Sequence, residues 1–231
     1  TAFLVLPLSA IFFRGVGHIP NLPNQVIVAS LTSLLIALTS MIVCIAMALS
    51  LALVFARRGK AARNLAEGVG ILGLATSPLV VGTGLFLMIF PFAHPMIFAI
   101  PITAGVNAMM ALPFALRVLI PAVRETYTDY LHLRCSLNIS RWVWLSRIVL
   151  PRLRRPLGFT SGLAIALSMG DLGVIALFAD PELQTLPLIL YRLMGAYRMD
   201  QAAAVALVLV LQSFALFWIF DQGGRGCVGP K

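Results

Sequence analysis

Charge is scarce in this sequence. Only 11% of its 231 residues are Asp, Glu, Lys or Arg, whereas a soluble domain carries roughly 25%. A water-facing surface cannot be covered at that density, so a soluble globular fold is excluded. The hydrophobic share of 60% points to lipid as the solvent. Acidic residues are scarcer still, 8 against 17 Lys and Arg, for a net charge of +9. Such a balance by itself suits a nucleic-acid partner. The basic residues, however, stand in short links between apolar runs, where the positive-inside rule places them. No nucleic-acid partner is expected.

Cysteine and histidine are rare as well, three of each. Cys44 lies in an apolar run, and Cys135 and Cys227 lie in basic segments. An odd, scattered set on the reducing side argues against a disulfide framework. His18, His94 and His132 are far apart and have no clustered acidic partners, so no metal site is expected. Gly59-Lys60 is followed by Ala61 and has no glycine five residues before Gly59, so the phosphate-binding loop pattern fails. No cofactor and no nucleotide site of the chain's own are expected; energy for uphill work must come from a gradient or from another subunit.

What is abundant is long apolar sequence. A partial run, Phe3 to Phe13, is about half the ~20 residues that cross the hydrocarbon core. It lacks the basic start and cleavage site of a signal peptide, and Thr1 stands where Met is usual. The expectation is a fragment cut within a spanning helix. Five full segments follow: Val26 to Ala56, Gly68 to Ala93, Met96 to Leu116, Leu157 to Phe178 and Ala202 to Phe220. In lipid each backbone group must be satisfied internally, so these are expected to be helices. An all-α, polytopic membrane domain over 1–220 results, with a tail over 221–231.

Orientation follows from Lys and Arg. Arg57, Arg58, Lys60, Arg63, Arg117, Arg124, Arg134, Arg141, Arg147, Arg152, Arg154, Arg155, Arg225 and Lys231 fall on one side, against Arg14, Arg192 and Arg198 on the other. Fourteen against three assigns the first side to the cytoplasm.

Two places invite chemistry. Asp171, in Ser168-Met169-Gly170-Asp171, is a carboxylate at membrane depth. Such a group either faces a bundle interior or wet cavity, or caps a broken helix near the outer interface. An intramembrane aspartyl protease needs a second carboxylate, and no other span supplies one. Asn107, Ser168 and Thr83 join Asp171 as path-lining candidates by depth and polarity. Pro78, Pro91, Pro95, Pro101 and Pro113 interrupt spans three and four, either as kinks about a cavity or as ordinary irregularity of membrane helices.

The second place is the cytoplasmic link, 125–156, too long to be idle. Thr128 and Asp129 suit a helix start. Leu133, Leu137, Trp142, Leu145 and Val149 recur at helical spacing, and Ser140 suits the start of a second short helix. Asn138 suits the break, since Asn tolerates left-handed geometry. Trp142 and Trp144 are expected to be exposed among arginines, against a partner or the lipid interface.

The link closes on Arg147-Ile148-Val149-Leu150-Pro151. That ending resembles the cytoplasmic motif of the binding-protein-dependent ABC importer permeases, which opens Glu-Ala-Ala, has Gly six residues after the Glu, and ends Leu-Pro. Here His132, Leu133 and Arg134 stand at the Glu-Ala-Ala positions and Asn138 at the glycine, while Ser136-Leu137 keep the approach to it. Gly170-Asp171-Leu172-Gly173 is similar to the family's Gly-Glu-Phe-Gly. Asn107 to Leu119, Leu167 to Phe178 and Thr185 to Tyr197 look like the C-terminal half of the membrane subunits of thiamine importers.

The resemblance implies a type I importer permease fold in a bacterial inner membrane and uptake of a small solute, thiamine ahead of iron(III), sulfate, molybdate or polyamine. It implies a periplasmic binding protein, two copies of an ABC ATPase, surrounding membrane lipid, and a second permease half fused upstream. His132, Leu133, Arg134, Ser136, Leu137, Asn138, Arg141, Trp142, Leu150 and Pro151 would form the ATPase-docking segment. A gradient-driven transporter is the alternative of another class.

Overall fold

The computed structural model describes residues 2–57, 68, 76–91, 98–136, 140–178 and 184–225. Among them every regular element is helical. In chain order these are α1 (Ala2–Val16), α2 (Asn24–Arg57), α3 (Pro78–Ile89), α4 (Ala99–Ser136), α5 (Arg141–Trp144), α6 (Leu150–Arg152), α7 (Arg154–Met169), α8 (Leu186–Gly195) and α9 (Met199–Arg225). A π-helical turn, Leu145–Val149, joins α5 to α6, and a 3-10 turn, Ile175–Phe178, follows α7.

Among the described residues three helices are long and apolar enough to cross a bilayer: Asn24–Phe55, Ala99–Tyr130 and Met199–Arg225. They match expected spans two, four and six. Span four continues further than expected: α4 runs unbroken for 38 residues, about 57 Å at 1.5 Å per residue. Thr128 therefore caps no helix start. Its hydroxyl donates back to the carbonyls of Arg124 and Glu125, at 3.2 and 2.9 Å, inside the same helix. A capping residue acts only where the preceding backbone stops being helical, and here nothing stops it.

Of span three the structure describes residues 68 and 76–91, with a helix over Pro78–Ile89 whose first turn holds Pro78, where its missing N–H costs nothing. Span five is shorter than expected. Its helix ends at Met169, and Gly170-Asp171 lies beyond the last turn.

The bundle is held by close backbone approach. In lipid, apolar surface gives no drive for helices to associate, so small residues that let helices pack tightly take that role. Cys44, Ala48 and Ala52 of α2 repeat every four residues and bury against Ala108, Ala111 and Ala115 of α4. Between α7 and α9 the approach is tighter. A Cβ at Gly158 would sit 2.6 Å from the Phe220 carbonyl oxygen, and one at Gly162 would sit 2.9 Å from that of Phe217. Large side chains such as Leu31, Ile42, Phe214 and Trp218 are exposed outward, as a lipid-facing surface requires.

Packing also sorts the charges. Gly224 near the end of α9 lies against Arg154 at the start of α7, while Gly15 of α1 lies against Ala203 early in α9. Arg154, Arg155 and Arg225 thus share one end of the bundle. Arg14 shares the other end with the α8–α9 junction that carries Arg192 and Arg198, in agreement with the alternation read from the sequence.

Candidate functional site

Two sites take shape, one at each end of this bundle. The first is a polar cluster where α2, α4, the end of α7 and the start of α8 meet. Asn107 donates through Nδ2 to the Ser168 hydroxyl at 3.0 Å. Ser168 donates to Ser40 Oγ, also at 3.0 Å, and Ser40 donates to the Ile36 carbonyl at 2.7 Å. Three helices are joined by this relay. Nearby, the Leu186 backbone N–H, in the first turn of α8 where no intrahelical acceptor exists, donates a hydrogen bond to Ser33 Oγ at 2.9 Å.

Beside the relay lies a cavity of about 10 Å³, lined by Ser33, Ile36, Thr103, Asn107, Ser168 and Asp171 together with Thr185 and its neighbours. That volume holds about one water. Asp171 follows the last turn of α7 and is among the residues that line the cavity. Its Oδ1 accepts from the Gly173 N–H at 3.1 Å, which fixes the turn. Its Oδ2 is buried without a partner among the described residues, and so is Thr185 Oγ1. A buried polar atom left unpaired is costly, and two around one cavity mark a place that waits for a donor and an acceptor.

The structure thus brings Asn107, Ser168 and Asp171 together. Thr83 is not among them. It lies on α3, with its hydroxyl donating to the Leu79 carbonyl at 2.7 Å. Ser33, Ser40, Thr103 and Thr185 were not singled out from the sequence. Ser33 and Ser40 are seven residues apart on α2 and so share a face, but Thr32 and Thr39 repeat the same interval, so spacing alone did not single them out.

The second site is the segment after α4. Trp144 is fully buried, its ring edge-on to Tyr127 of α4 with centroids 4.2 Å apart and planes at 69°. This corrects the expectation that both tryptophans are exposed. Two residues along a helix turn the side chain by about 200°, so Trp142, at 79% exposure, must face away when Trp144 packs inward. The π-helical turn completes the arrangement. In a regular helix, residues five apart diverge by about 140°, yet Trp144, Val149 and Leu153 all enter one core cluster. The Leu150 N–H reaches back five residues to the Leu145 carbonyl, and Pro151 has no N–H to restore the ordinary ladder.

Trp142, Ser146, Leu150 and Pro151 are left facing outward. Arg152 lies over the Tyr130 ring at 4.2 Å and ties the end of the segment to α4. Of the expected docking residues, His132, Leu133 and Arg134 fall within α4 and Ser136 ends it, exposed. Arg141 opens α5, preceded by Ser140, whose carbonyl accepts from the Trp144 N–H at 3.0 Å. Leu137 and Asn138 lie outside the described residues. Among the described residues no group of three or more His, Cys, Asp or Glu is placed to hold a metal ion.

Membrane-length helices around a polar cavity, with basic links gathered at one end, define a polytopic helical membrane protein. Comparison with known proteins narrows this. The chain is 36% identical over 224 residues to the thiamine transport system permease protein ThiP of Brucella abortus (strain 2308), covering 95% of this chain and 41% of that protein. It is 35% identical over 226 residues to the protein of the same name from Escherichia coli (strain K12), with 95% and 42% covered. With that of Haemophilus influenzae it shares 37% identity over 148 residues. The chain spans about two fifths of the length of the curated relatives it matches over 95% of itself. No protein-family model matches the chain. The resemblance to an importer permease of the thiamine type is borne out.

Proposed function

We propose that this chain is a membrane-spanning half of an ATP-driven thiamine importer in a bacterial inner membrane. Likeness at 35–36% identity across 95% of the chain to thiamine transport permeases carries this reading. A binding protein delivers the solute on the periplasmic side, and a separate ABC ATPase, present twice, drives the cycle. A second permease half completes the path. The segment from Ser136 to Pro151, anchored by Trp144 and presenting Trp142, Leu150 and Pro151, is the surface seated on one ATPase.

The cavity beside Asp171 is far too small for thiamine, so it belongs to a closed arrangement of the path. Packed interfaces switch between discrete arrangements rather than deforming smoothly. When the helices part, the unpaired Asp171 oxygen attracts the fixed positive charge of thiamine, and the Thr185 hydroxyl meets a polar group of the solute. The chain performs no covalent chemistry.

The test is uptake of labelled thiamine by reconstituted transporter, together with co-purification of the ATPase. Asp171→Asn is expected to weaken uptake at low substrate about tenfold or more, since two opposite charges ~4 Å apart attract by ~4 kcal/mol at an effective dielectric constant of about 20. Unchanged uptake and affinity would remove Asp171 from the path. Thiamine uptake that persists without any ATPase would overturn the ATP-driven reading altogether.

A further inference from the structure

At the basic end, a groove of about 680 Å³ runs between the end of the docking segment and the α7–α9 pair. It is lined by Ser146, Leu150, Pro151, Arg154, Leu157, Gly158, Ser161, Ile219, Phe220, Gly223 and Gly224. Three properties decide what fits it. Among the described residues its one charged lining residue is the exposed Arg154, next to Arg155 and on the bundle end that gathers the basic residues. The nearby acid on α9, Asp221, is already paired with Arg225 at 2.7 Å, so it does not cancel Arg154. The walls are apolar, from Leu150, Leu157, Ile219 and Phe220, and glycines keep the floor low.

The groove is also deep in the right direction. Ser161 lies seven residues along α7 from Arg154, about 10 Å further up the helix at 1.5 Å per residue. A soluble partner docked on Leu150-Pro151 stops at the membrane surface. An acyl chain does not. Ile219, 56% exposed, continues the groove onto the lipid-facing side of α9 beside Trp218. A cation at the rim with an apolar channel running inward is complementary to one amphipathic ligand.

We infer that this groove is a binding site for an anionic phospholipid of the cytoplasmic leaflet, with its phosphate at Arg154 and an acyl chain along Leu157, Ile219 and Phe220. The inference rests on the membrane orientation given above but not on the transported solute. Basic pockets between membrane helices on the cytoplasmic side are where such headgroups are held.

The experiment is native mass spectrometry of the full chain released from detergent, with phosphatidylglycerol and phosphatidylcholine as competing probes. Retention of phosphatidylglycerol over phosphatidylcholine is expected. Arg154→Gln should cut that preference about fivefold, the share of one arginine at an anionic surface. Gly223→Leu should displace lipid of either kind, because a Cβ there meets nothing within 4 Å and the added side chain fills the groove without strain. Both positions lie clear of the buried core, so each variant is expected to fold. Equal retention of both lipids by the unaltered chain, or a preference untouched by both variants, overturns the proposal. So does displacement by inorganic phosphate alone, or occlusion by the ATPase with no lipid bound. Thiamine uptake, measured in parallel, reports separately on the transport reading.

Discussion

The two ends of this bundle treat polar and apolar groups in opposite ways. At the end nearer Arg14 and Arg192, polar atoms are drawn inward: Asn107, Ser168 and Ser40 bond across three helices, and Asp171 and Thr185 each hold, against a small cavity, an atom with no partner among the described residues. At the basic end, apolar side chains are pushed outward: Trp142 and Leu150 are exposed and Pro151 lies beside a groove. The first pattern suits a path that is closed and waits for a polar occupant. The second suits surfaces that meet something else. On the proposed reading, recognition is built into the interior at one end and displayed at the other.

The comparison can be broken most forcefully at Trp144. Trp144→Ala empties a fully buried site among Leu119, Val123 and Val149, and buried aromatic truncations cost about 3–5 kcal/mol. A melt followed in detergent should show a large loss of stability. If Trp144→Ala melts like the parent, the displayed segment is not anchored as described.

The close-packed seam comes next. Gly158→Leu drives a side chain into the Phe220 carbonyl, and overpacking of this kind costs about 1–3 kcal/mol, occasionally more. Gly223→Leu, three residues further along α9, where a Cβ meets nothing within 4 Å, serves as the control and should melt normally. A seam that tolerates both leucines equally is not as tight as its geometry.

Smaller again is the relay. Ser168→Ala removes one donor and one acceptor between α2, α4 and α7, and hydrogen bonds between membrane helices average about 0.6 kcal/mol, up to about 1.7. The expected loss is modest, and uptake should fall more than stability if the relay sets the closed arrangement.

The smallest effect on stability sharpens the contrast with Trp144. Trp142→Ala, at an exposed position, should shift stability by less than about 0.5 kcal/mol. It should nevertheless weaken retention of the ATPase in a pull-down. Intact retention would move the docking surface elsewhere.

The apolar runs of α2, α4 and α9 were plain in the sequence, because a spanning helix needs only length and hydrophobicity. Their ends were not. α4 runs on to Ser136 past a good capping pair at Thr128-Asp129, since a cap offers an alternative and does not impose one. The end of α7 was hidden for a related reason: Leu172, Val174 and Ile175 are as apolar as a helix interior, so hydropathy alone carries the span through Gly170. Asp171 was legible, because a lone carboxylate in an apolar run stands out. Thr185 was not, because a threonine at a helix start is ordinary until its neighbours in space are known.

Solvent preference is additive along a chain. The sequence by itself therefore determined that this protein is a helical bundle in lipid, which side of it carries the arginines, and which kind of permease it is similar to. Which side chains meet depends instead on contacts between distant segments: the bonds that build the cavity join residues 61, 128 and 153 positions apart. Only the tertiary structure decided that Trp144 turns inward while Trp142 turns out. It also decided that Asp171 shares a cavity with Thr185, and that α7 and α9 leave a groove beside Arg154. A helix interior repeats the same geometry at every residue, so the face that is buried is set by the partner it packs against.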